Sequence, residues 1–284
     1  MERKISSIGN IPSVSVHCPT FSAKETLLSG QCFRWNERGG RLCGTAFGRY
    51  IEVAQDGDCV TIFGATREDY EAIWRGYFDL DRDYDGIRRI VTQLEPRLCK
   101  AAEYAARIHI LAQEPWEALC SFVISQNNNI PRIRGIIQKL CLYCGAPALG
   151  KEYAAVEGDA RAFPTAEALA QVSEEQLRAF GCGYRANYLA AVSQSVAAGE
   201  LDLTWLKTAP IDEARRALQA LKGVGPKVAE CVLLYGCGRL ECFPIDVWIR
   251  RALETDFAGG TALTDSEFAG VAQQYIFEYI RRRG

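Results

Sequence analysis

The chain has 284 residues, of which 48% are hydrophobic and 24% charged, enough apolar material for one large core or two smaller ones. No run approaches the ~18 consecutive apolar residues of a membrane span, and the polar first ten residues lack the apolar stretch of a secretory signal. The formal net charge of -2 argues against a protein that coats nucleic acid by bulk positive charge. We therefore expect an intracellular, monomeric protein with no membrane partner, whose contacts with any nucleic acid are local.

The first hundred residues predict an antiparallel sheet. Two short alternating runs, 49–53 and 59–63, flank Asp56-Gly57, a dipeptide typical of a two-residue β-hairpin turn. From about residue 101 the apolar positions recur every three to four residues, and prolines and glycines mark helix boundaries. The pattern predicts an α+β fold with an N-terminal antiparallel sheet domain over 1–100 and a mainly helical region over 101–284.

The segment LKGVGPKVA at 221–229 is the most informative stretch of the chain. Gly223 and Gly225 form a tight turn between two amphipathic helices, and the proline after them suits the first position of the second helix. Backbone N–H groups exposed at such a helix start bind a DNA phosphate without any net positive charge. The sequence therefore predicts a helix-hairpin-helix at about 211–235 that contacts the DNA backbone through Gly223, Gly225 and Val228.

Lys227 and Asp246 are the candidate catalytic residues. Lys227 falls in the first turn of the second hairpin helix, where the helix dipole disfavours a protonated amine. A neutral amine can displace a base at the sugar C1′ and form a Schiff base that permits strand cleavage. Asp246 precedes a further helix and is a candidate to stabilise positive charge on the sugar and to activate the lysine. On the residues alone, Lys227 fits a phosphate contact equally well, and Asp246 fits a helix cap.

Five ordered segments resemble the 8-oxoguanine DNA glycosylase family of the helix-hairpin-helix superfamily. They are GQCFRW at 30–35, SQNNNIPR at 125–132, GYRA at 183–186, LKGVGPKVAEC at 221–231 with FPIDVW at 243–248, and AQ with a later phenylalanine at 272–277. The resemblance covers nearly the whole chain. It implies a bifunctional glycosylase and AP lyase that excises 8-oxoguanine opposite cytosine from duplex DNA, with Lys227 as nucleophile and Asp246 as catalytic aspartate.

The resemblance also implies a pocket for the flipped base. The backbone carbonyl of Gly30 would accept the N7–H that 8-oxoguanine has and guanine lacks, and an acceptor left unpaired by the wrong base costs about 1 to 3 kcal/mol. Phe277 and Cys231 would sandwich the ring while Gln273 reads its Watson–Crick edge. Without the resemblance, Gly30 fits an ordinary turn, Cys231 fits core packing, and the four-residue spacing of Gln273 and Phe277 fits any buried helix face.

Four further residues match those that handle the opposite strand. Asn127, Arg132 and Arg185 match residues that hold the orphaned cytosine, and Tyr184 matches the wedge that fills the vacated stack. Read without the family, Asn127 belongs to a polar turn between helices and Tyr184 is a core aromatic. Trp248 departs from the pattern, because many relatives carry a histidine there near a phosphate, and by its position Trp248 is predicted to contact the DNA phosphate as well.

The chain is expected to need no cofactor. Cys231, Cys237 and Cys242 are followed by no further cysteine, so the relatives that carry an iron–sulfur cluster are excluded, and most of the twelve cysteines are predicted to be buried free thiols. A structural cation, monovalent or calcium, is predicted at the hairpin carbonyls of Gln219, Leu221 and Val224. Two alternatives stay open: a glycosylase of the same fold for another damaged purine, and a DNA-binding protein without catalysis.

Overall fold

The computed structural model describes residues 11–150 and 160–282. Its five-stranded antiparallel sheet has the order β1-β5-β4-β3-β2, with β1 at Ser13–His17, β2 at Trp35–Arg38, β3 at Arg41–Ala46, β4 at Arg49–Asp56 and β5 at Cys59–Phe63. The predicted hairpin is confirmed, but its two-residue turn is Gly57-Asp58, one position later than the predicted Asp56-Gly57, because Asp56 still pairs with Cys59. Gly57 has a positive φ of 55°, as the turn requires. The edge strand β1, which pairs with β5, was not predicted.

Helices dominate the described chain after β5. One short helix, α1 (Ala23–Leu27), lies between β1 and β2, and four α-helices follow β5 directly: α2 (Arg67–Asp69), α3 (Arg75–Tyr77), α4 (Tyr84–Leu94) and α5 (Cys99–Tyr104). The others are α6 (Pro115–Ser125), α7 (Ile130–Cys144), α8 (Ala166–Ala170), α9 (Glu174–Ala179), α10 (Arg185–Ala197), α11 (Ile211–Gln219), α12 (Pro226–Cys237), α13 (Val247–Glu254) and α14 (Ala269–Arg281). The predicted α+β class is therefore confirmed. No helix in the described ranges is long and apolar enough to cross a membrane.

Two hydrophobic clusters form the interior. The first, which we call the sheet core, lies between the sheet and the helical turns over 67–77 and contains the fully buried Trp35 and Trp74. The second, the helical core, runs from α4 to α14. The clusters interlock, because Phe33 beside β2 packs in the helical core whereas Leu111 before α6 packs in the sheet core. The division of the chain at residue 100 stays a prediction.

Helix α12 lies at the centre of the helical core against α6. Its Gly236 permits the close approach, since a Cβ there would lie 2.9 Å from Pro115 Cα and 3.0 Å from Ala118 Cβ. Near the other end of the pair, Lys227 in the first turn of α12 reaches Ser125 at the end of α6. The close packing of these two helices therefore fixes where Lys227 lies.

Candidate active site

Lys227 occupies the second position of α12 and is half-buried. Its Nζ lies 3.4 Å from Ser125 Oγ and 5.0 Å from the centre of the Phe122 ring. Ser125 Oγ donates its own proton to the Phe122 carbonyl at 2.8 Å, so it is free to accept from the lysine amine. No role for Ser125 or Phe122 was predicted, because both act through a contact across two helices that sequence spacing does not reveal.

Asp246 is the N-cap of α13. Its Oδ1 accepts from the backbone N–H groups of Trp248, at 3.0 Å, and Ile249, at 2.9 Å. The carboxylate is therefore both a helix cap and a fixed negative charge, since one oxygen satisfies both amides. The cap reading and the catalytic reading of Asp246 are compatible in this geometry.

The charges of Lys227 and Asp246 both act on the Cys231 thiol. Cys231 follows Lys227 by one turn of α12 and is buried. Burial raises the pKa of the Cys231 thiol to about 11, the charge of Lys227 acts against the rise, and that of Asp246 adds to it. The structure thus brings Lys227, Cys231 and Asp246 together, and it leaves Cys231 as an uncharged thiol suited to contact an aromatic ring.

Gly30 and Phe277 are neighbours although they lie at opposite ends of the chain. Gly30 has a φ of 86°, and a Cβ there would lie 3.5 Å from both Phe277 Cε1 and Ile130 Cδ1. The positive φ favours glycine, and a side chain would extend toward the Phe277 ring. The structure therefore places Gly30, whose carbonyl is the predicted hydrogen-bond acceptor, beside one of the predicted stacking residues.

A buried polar network holds the turn that contains Gly30. Gln31 donates to the carbonyls of Thr26 and His109, at 3.2 and 2.9 Å, and accepts from the Leu111 amide at 2.8 Å. Gln113 in turn donates to the Gln31 carbonyl at 2.6 Å. This network fixes the backbone on one side of Gly30. The sequence marks Gln31 and Gln113 only as glutamines in apolar surroundings, a weak signal.

Gln273 lies on the buried face of α14, one turn before Phe277. The Tyr235 hydroxyl from α12 lies 3.3 Å from Gln273 Oε1 and 2.8 Å from Gln274 Oε1. The Tyr235 ring also stacks on Phe122, with centroids 5.4 Å apart. Tyr235, which no motif identified, therefore joins the predicted base-reading amide to the aromatic ring beneath Lys227.

The residues predicted to face the opposite strand form a second cluster. Asn127 Nδ2 donates to the Tyr184 hydroxyl at 3.2 Å, and Asn127 adopts a positive φ of 46°. The Arg185 guanidinium lies 4.5 Å from the Tyr184 ring centre and donates to the carbonyls of Gln126 and Asn127, the latter at 2.8 Å. Tyr184 is 46% exposed, which contradicts its interpretation as a core aromatic.

Arg132 borders the same cluster. It lies in the first turn of α7, and its guanidinium donates to the Gly181 carbonyl at 3.2 Å, next to the loop that precedes Tyr184. Gln126 ties this cluster to the hairpin, because its side-chain amide donates to the Gly223 carbonyl at 3.0 Å. The loops around 127, 184 and 223 therefore share one surface of the molecule.

The hairpin itself is confirmed, with α11 ending at Gln219 and α12 starting at Pro226. Gly223 has a φ of 85°, and a Cβ there would lie only 2.2 Å from Tyr188 Cγ of α10. Gly225 is the exposed N-cap of α12 and leaves the amides of Lys227 and Val228 without an intrahelical acceptor. These amides are free to donate hydrogen bonds to an anion, and the phosphate contact predicted for Gly223, Gly225 and Val228 stays a prediction.

Two predictions near the hairpin are not decided by the geometry. The Leu221 carbonyl accepts from the Val224 amide at 3.1 Å, and the cation site at Gln219, Leu221 and Val224 stays a prediction. Trp248 is half-buried in the first turn of α13, and its phosphate contact also stays a prediction.

All twelve cysteines are free and eight are buried, as expected.

Comparison with known families gives two matches that together cover most of the chain. The N-terminal domain of 8-oxoguanine DNA glycosylase matches residues 13–119, and the HhH-GPD superfamily of base excision DNA repair proteins matches residues 120–272. An N-glycosylase/DNA lyase of Saccharomyces cerevisiae is 38% identical over 162 residues, which cover 53% of this chain and 42% of the yeast protein. The match therefore spans less than half the length of that relative.

Solved structures match from end to end. MBOgg1 in complex with a low affinity DNA ligand is 37% identical with a TM-score of 0.89, and the match covers 100% of both chains. The 8-oxoguanine glycosylase/lyase of Clostridium acetobutylicum, in complex with dsDNA containing cytosine opposite 8-oxoG, is 31% identical with a TM-score of 0.88 over 99% of this chain and 98% of that one. The chain belongs to the 8-oxoguanine DNA glycosylase family of helix-hairpin-helix base excision repair proteins.

Proposed function

We propose that this protein is a bifunctional DNA glycosylase and AP lyase that removes 8-oxoguanine opposite cytosine from duplex DNA. The observation that carries the proposal is the position of Lys227 in the first turn of α12, with its amine 3.4 Å from Ser125 Oγ, together with the position of Asp246 at the N-cap of α13. The charges of both side chains act on the buried Cys231 thiol. Family membership supplies the substrate class. The exposed turn at Gly225 and the cluster of Asn127, Tyr184 and Arg185 supply surfaces for the two strands.

The proposed reaction begins with the lesion flipped from the stack. The neutral Lys227 amine attacks C1′, the N-glycosidic bond breaks, and its electron pair leaves with the base, which takes up a proton. The Asp246 carboxylate stabilises the positive charge that develops on the sugar. The ammonium formed by the attack loses a proton, the C1′–O4′ bond breaks as O4′ takes up a proton, and a Schiff base forms between Nζ and C1′.

Strand cleavage follows from the same intermediate. Loss of a proton from C2′ and departure of the 3′ phosphate break the C3′–O bond by β-elimination, and water later releases the lysine from the imine. These steps use protein side chains and water, and they call for no cofactor. The predicted hairpin cation would serve the fold of the hairpin and would take no part in the bond-breaking steps.

Selection of the lesion is proposed to depend on a base pocket that Gly30 and Phe277 would line, since the two residues are neighbours in the structure. Only the oxidised base carries a hydrogen at N7 that the Gly30 carbonyl can accept. Guanine would leave that acceptor unpaired, at a cost of about 1 to 3 kcal/mol. Cys231 and Phe277 are proposed to contact the faces of the ring, and Gln273 its Watson–Crick edge.

Borohydride trapping tests the proposal directly. Wild-type protein is incubated with a duplex containing 8-oxoguanine opposite cytosine in the presence of sodium borohydride, which reduces the imine to a stable adduct. We expect an adduct with wild type and none with Lys227→Gln. Lys222→Gln is the matched control, because Lys222 is an exposed lysine of the same hairpin and should leave trapping unchanged.

Each other outcome has a separate meaning. Adduct formation by Lys227→Gln would refute the assignment of the nucleophile. Trapping of wild type with an abasic site but not with 8-oxoguanine would indicate a glycosylase for another damaged purine. Tight binding to both duplexes without any adduct would indicate a DNA-binding protein without catalysis.

A further inference from the structure

Arg281, the last residue of α14, joins two parts of the protein that are far apart in the sequence. Its guanidinium donates to Glu278 Oε2 at 2.7 Å on its own helix. It also donates to the Leu28 carbonyl at 3.3 Å and lies 5.7 Å from the centre of the Phe277 ring. One side chain therefore contacts both the aromatic ring on α14 and the backbone that follows α1.

The Leu28 carbonyl lies two positions before Gly30 in the same turn. On the far side of Gly30, the turn is already fixed by the hydrogen bonds of Gln31. On the near side, the Arg281 guanidinium is a long-range contact from the other end of the chain. Ser29, directly before Gly30, is itself tied to Thr26 and Gln31, at 2.9 and 3.1 Å, so Arg281 adds a contact one residue further out. Arg281 is the one of these groups that also contacts Phe277.

The ion pair with Glu278 alone does not require Arg281. Glu278 is only 1% exposed, and Arg282 also pairs with it, with Nε 2.6 Å from Oε1. Removal of Arg281 would therefore leave the buried carboxylate with a cationic partner. Arg282 has neither the Leu28 contact nor the Phe277 contact among the described interactions, so the two arginines differ in what they reach beyond Glu278.

We propose that Arg281 is a positioning residue that sets the distance between the Gly30 carbonyl and the Phe277 ring, and thereby governs acceptance of the flipped base. The inference rests on the proposed function of this pocket. The planar guanidinium suits the task, because one edge can donate to two oxygens while its face lies against an aromatic ring. Arg281 does not touch the base itself in this assignment.

The test separates recognition of the base from chemistry at the sugar. Arg281→Met keeps an unbranched apolar stem and removes the guanidinium, and Arg282→Met is the matched control. Each variant is assayed for single-turnover excision of 8-oxoguanine and for strand cleavage at a preformed abasic site, which offers no base to the pocket. We expect Arg281→Met to lower excision roughly 10- to 100-fold, the size of effect that a small misplacement causes, and to cleave abasic DNA at the wild-type rate. Arg282→Met should retain both activities.

Two results would overturn the inference while leaving the proposed function intact. One is that Arg281→Met excises 8-oxoguanine at the wild-type rate. The other is an equal loss of excision and of abasic-site cleavage, which would indicate a general structural role. If Arg281→Met does not fold, Arg281→Lys replaces it. The lysine retains a charge for Glu278 but lacks the planar fork, so excision should still fall relative to abasic cleavage. Failure of the proposed function itself is distinct, because wild type would then not excise 8-oxoguanine.

Discussion

The two candidate catalytic side chains both lie at helix starts, Lys227 in the first turn of α12 and Asp246 at the N-cap of α13. At these positions the side chain is tied to a backbone that cannot shift without loss of helical hydrogen bonds. Reactivity at this site therefore depends on how α12 and α13 are packed. Asp246 has two separable tasks, one for the helix and one for the reaction.

Replacement of Asp246 by asparagine separates those tasks. Asparagine caps a helix about as well as aspartate, so the melting temperature of Asp246→Asn should stay close to that of wild type. The negative charge is lost, and we expect single-turnover excision to fall by roughly 10²- to 10⁴-fold. Asp246→Ala should show the same loss of rate with an additional loss of about 1 kcal/mol in unfolding free energy. Excision by Asp246→Asn at the wild-type rate would exclude a catalytic carboxylate.

The sequence predicts the residues that are proposed to react, and it does not predict the residues that hold them. Lys227 and Asp246 became candidates through their positions at helix starts, and the resemblance to the glycosylase family decided between their catalytic and structural interpretations. Ser125, Tyr235 and Arg281 have none, since each acts through a contact with a residue far along the chain. Such contacts depend on how helices are placed in three dimensions, which one sequence without its fold does not specify.

At the scale of elements, the hairpin contains two glycines with different requirements. Gly223 has a left-handed φ and no room for a Cβ against Tyr188, whereas Gly225 has a φ of −89° and nothing within 4 Å of a Cβ. Their sequence context, a glycine on either side of Val224, does not distinguish them. The distinction arises from the packing of α10 against the turn.

Alanine at Gly223 should therefore lower the stability of the protein, whereas alanine at Gly225 should lower its affinity for DNA. Gly223→Ala is expected to lower the unfolding free energy by about 2 kcal/mol or more, through both backbone strain and the clash with Tyr188. Gly225→Ala should unfold like wild type, yet its methyl group would lie at the anion-binding helix start and weaken binding to duplex DNA. Chemical denaturation and fluorescence anisotropy measure the two effects. Equal stability of both variants would contradict the geometry of the turn.

Element prediction succeeded where the signal was local. The β4–β5 hairpin, the helix starts at prolines and the helix-hairpin-helix all followed from turn residues and short-range periodicity. Strand β1 was not predicted because its partner β5 lies more than forty residues away, with no turn between them to mark the pairing. The parallel bridge between Arg49 and Leu149 escaped prediction for the same reason.

At the scale of the whole molecule, two buried groups give opposite dependences of stability on pH. His109 is fully buried, with Nδ1 3.2 Å from the Phe78 carbonyl, and burial lowers its pKa from 6.5 to about 4. Its contribution to stability is present above pH 6.5 and is lost as the pH falls to 4, because only the unfolded chain takes up the proton. The loss is on the order of 3 kcal/mol.

Glu117 acts in the reverse direction. Burial raises its pKa from 4.5 to about 7, although Arg34, 3.3 Å away, partly opposes the rise. Its contribution is present below pH 4.5 and is lost as the pH rises to 7, because the unfolded chain releases the proton first. Over pH 4.5 to 6.5 the two groups offset each other, so together they leave the wild-type unfolding free energy nearly level.

Without the Glu117 carboxyl, the unfolding free energy should show the pH dependence that is due to His109, because nothing then offsets it. We expect the unfolding free energy of Glu117→Gln to fall by on the order of 3 kcal/mol between pH 6.5 and 4, and the difference between variant and wild type to rise with pH between 4.5 and 7. The unpaired Arg34 adds an offset that does not vary with pH, since arginine stays charged throughout. Urea denaturation at several pH values measures the curve. A difference between the two proteins that does not vary with pH would contradict the assigned pKa of Glu117.

The interlocking of the two cores has an evolutionary consequence. The turn at Gly30 is encoded near the start of the gene and is held beside the sheet core, whereas Lys227 and Asp246 are encoded near its end in the helical core. The carbonyl proposed to recognise the oxidised base is thus encoded far from the groups proposed to act on the sugar, whereas Cys231, Gln273 and Phe277 are encoded near those groups. A mutation close to residue 30 can change the proposed contact with N7 without any change in the sequence around Lys227 and Asp246.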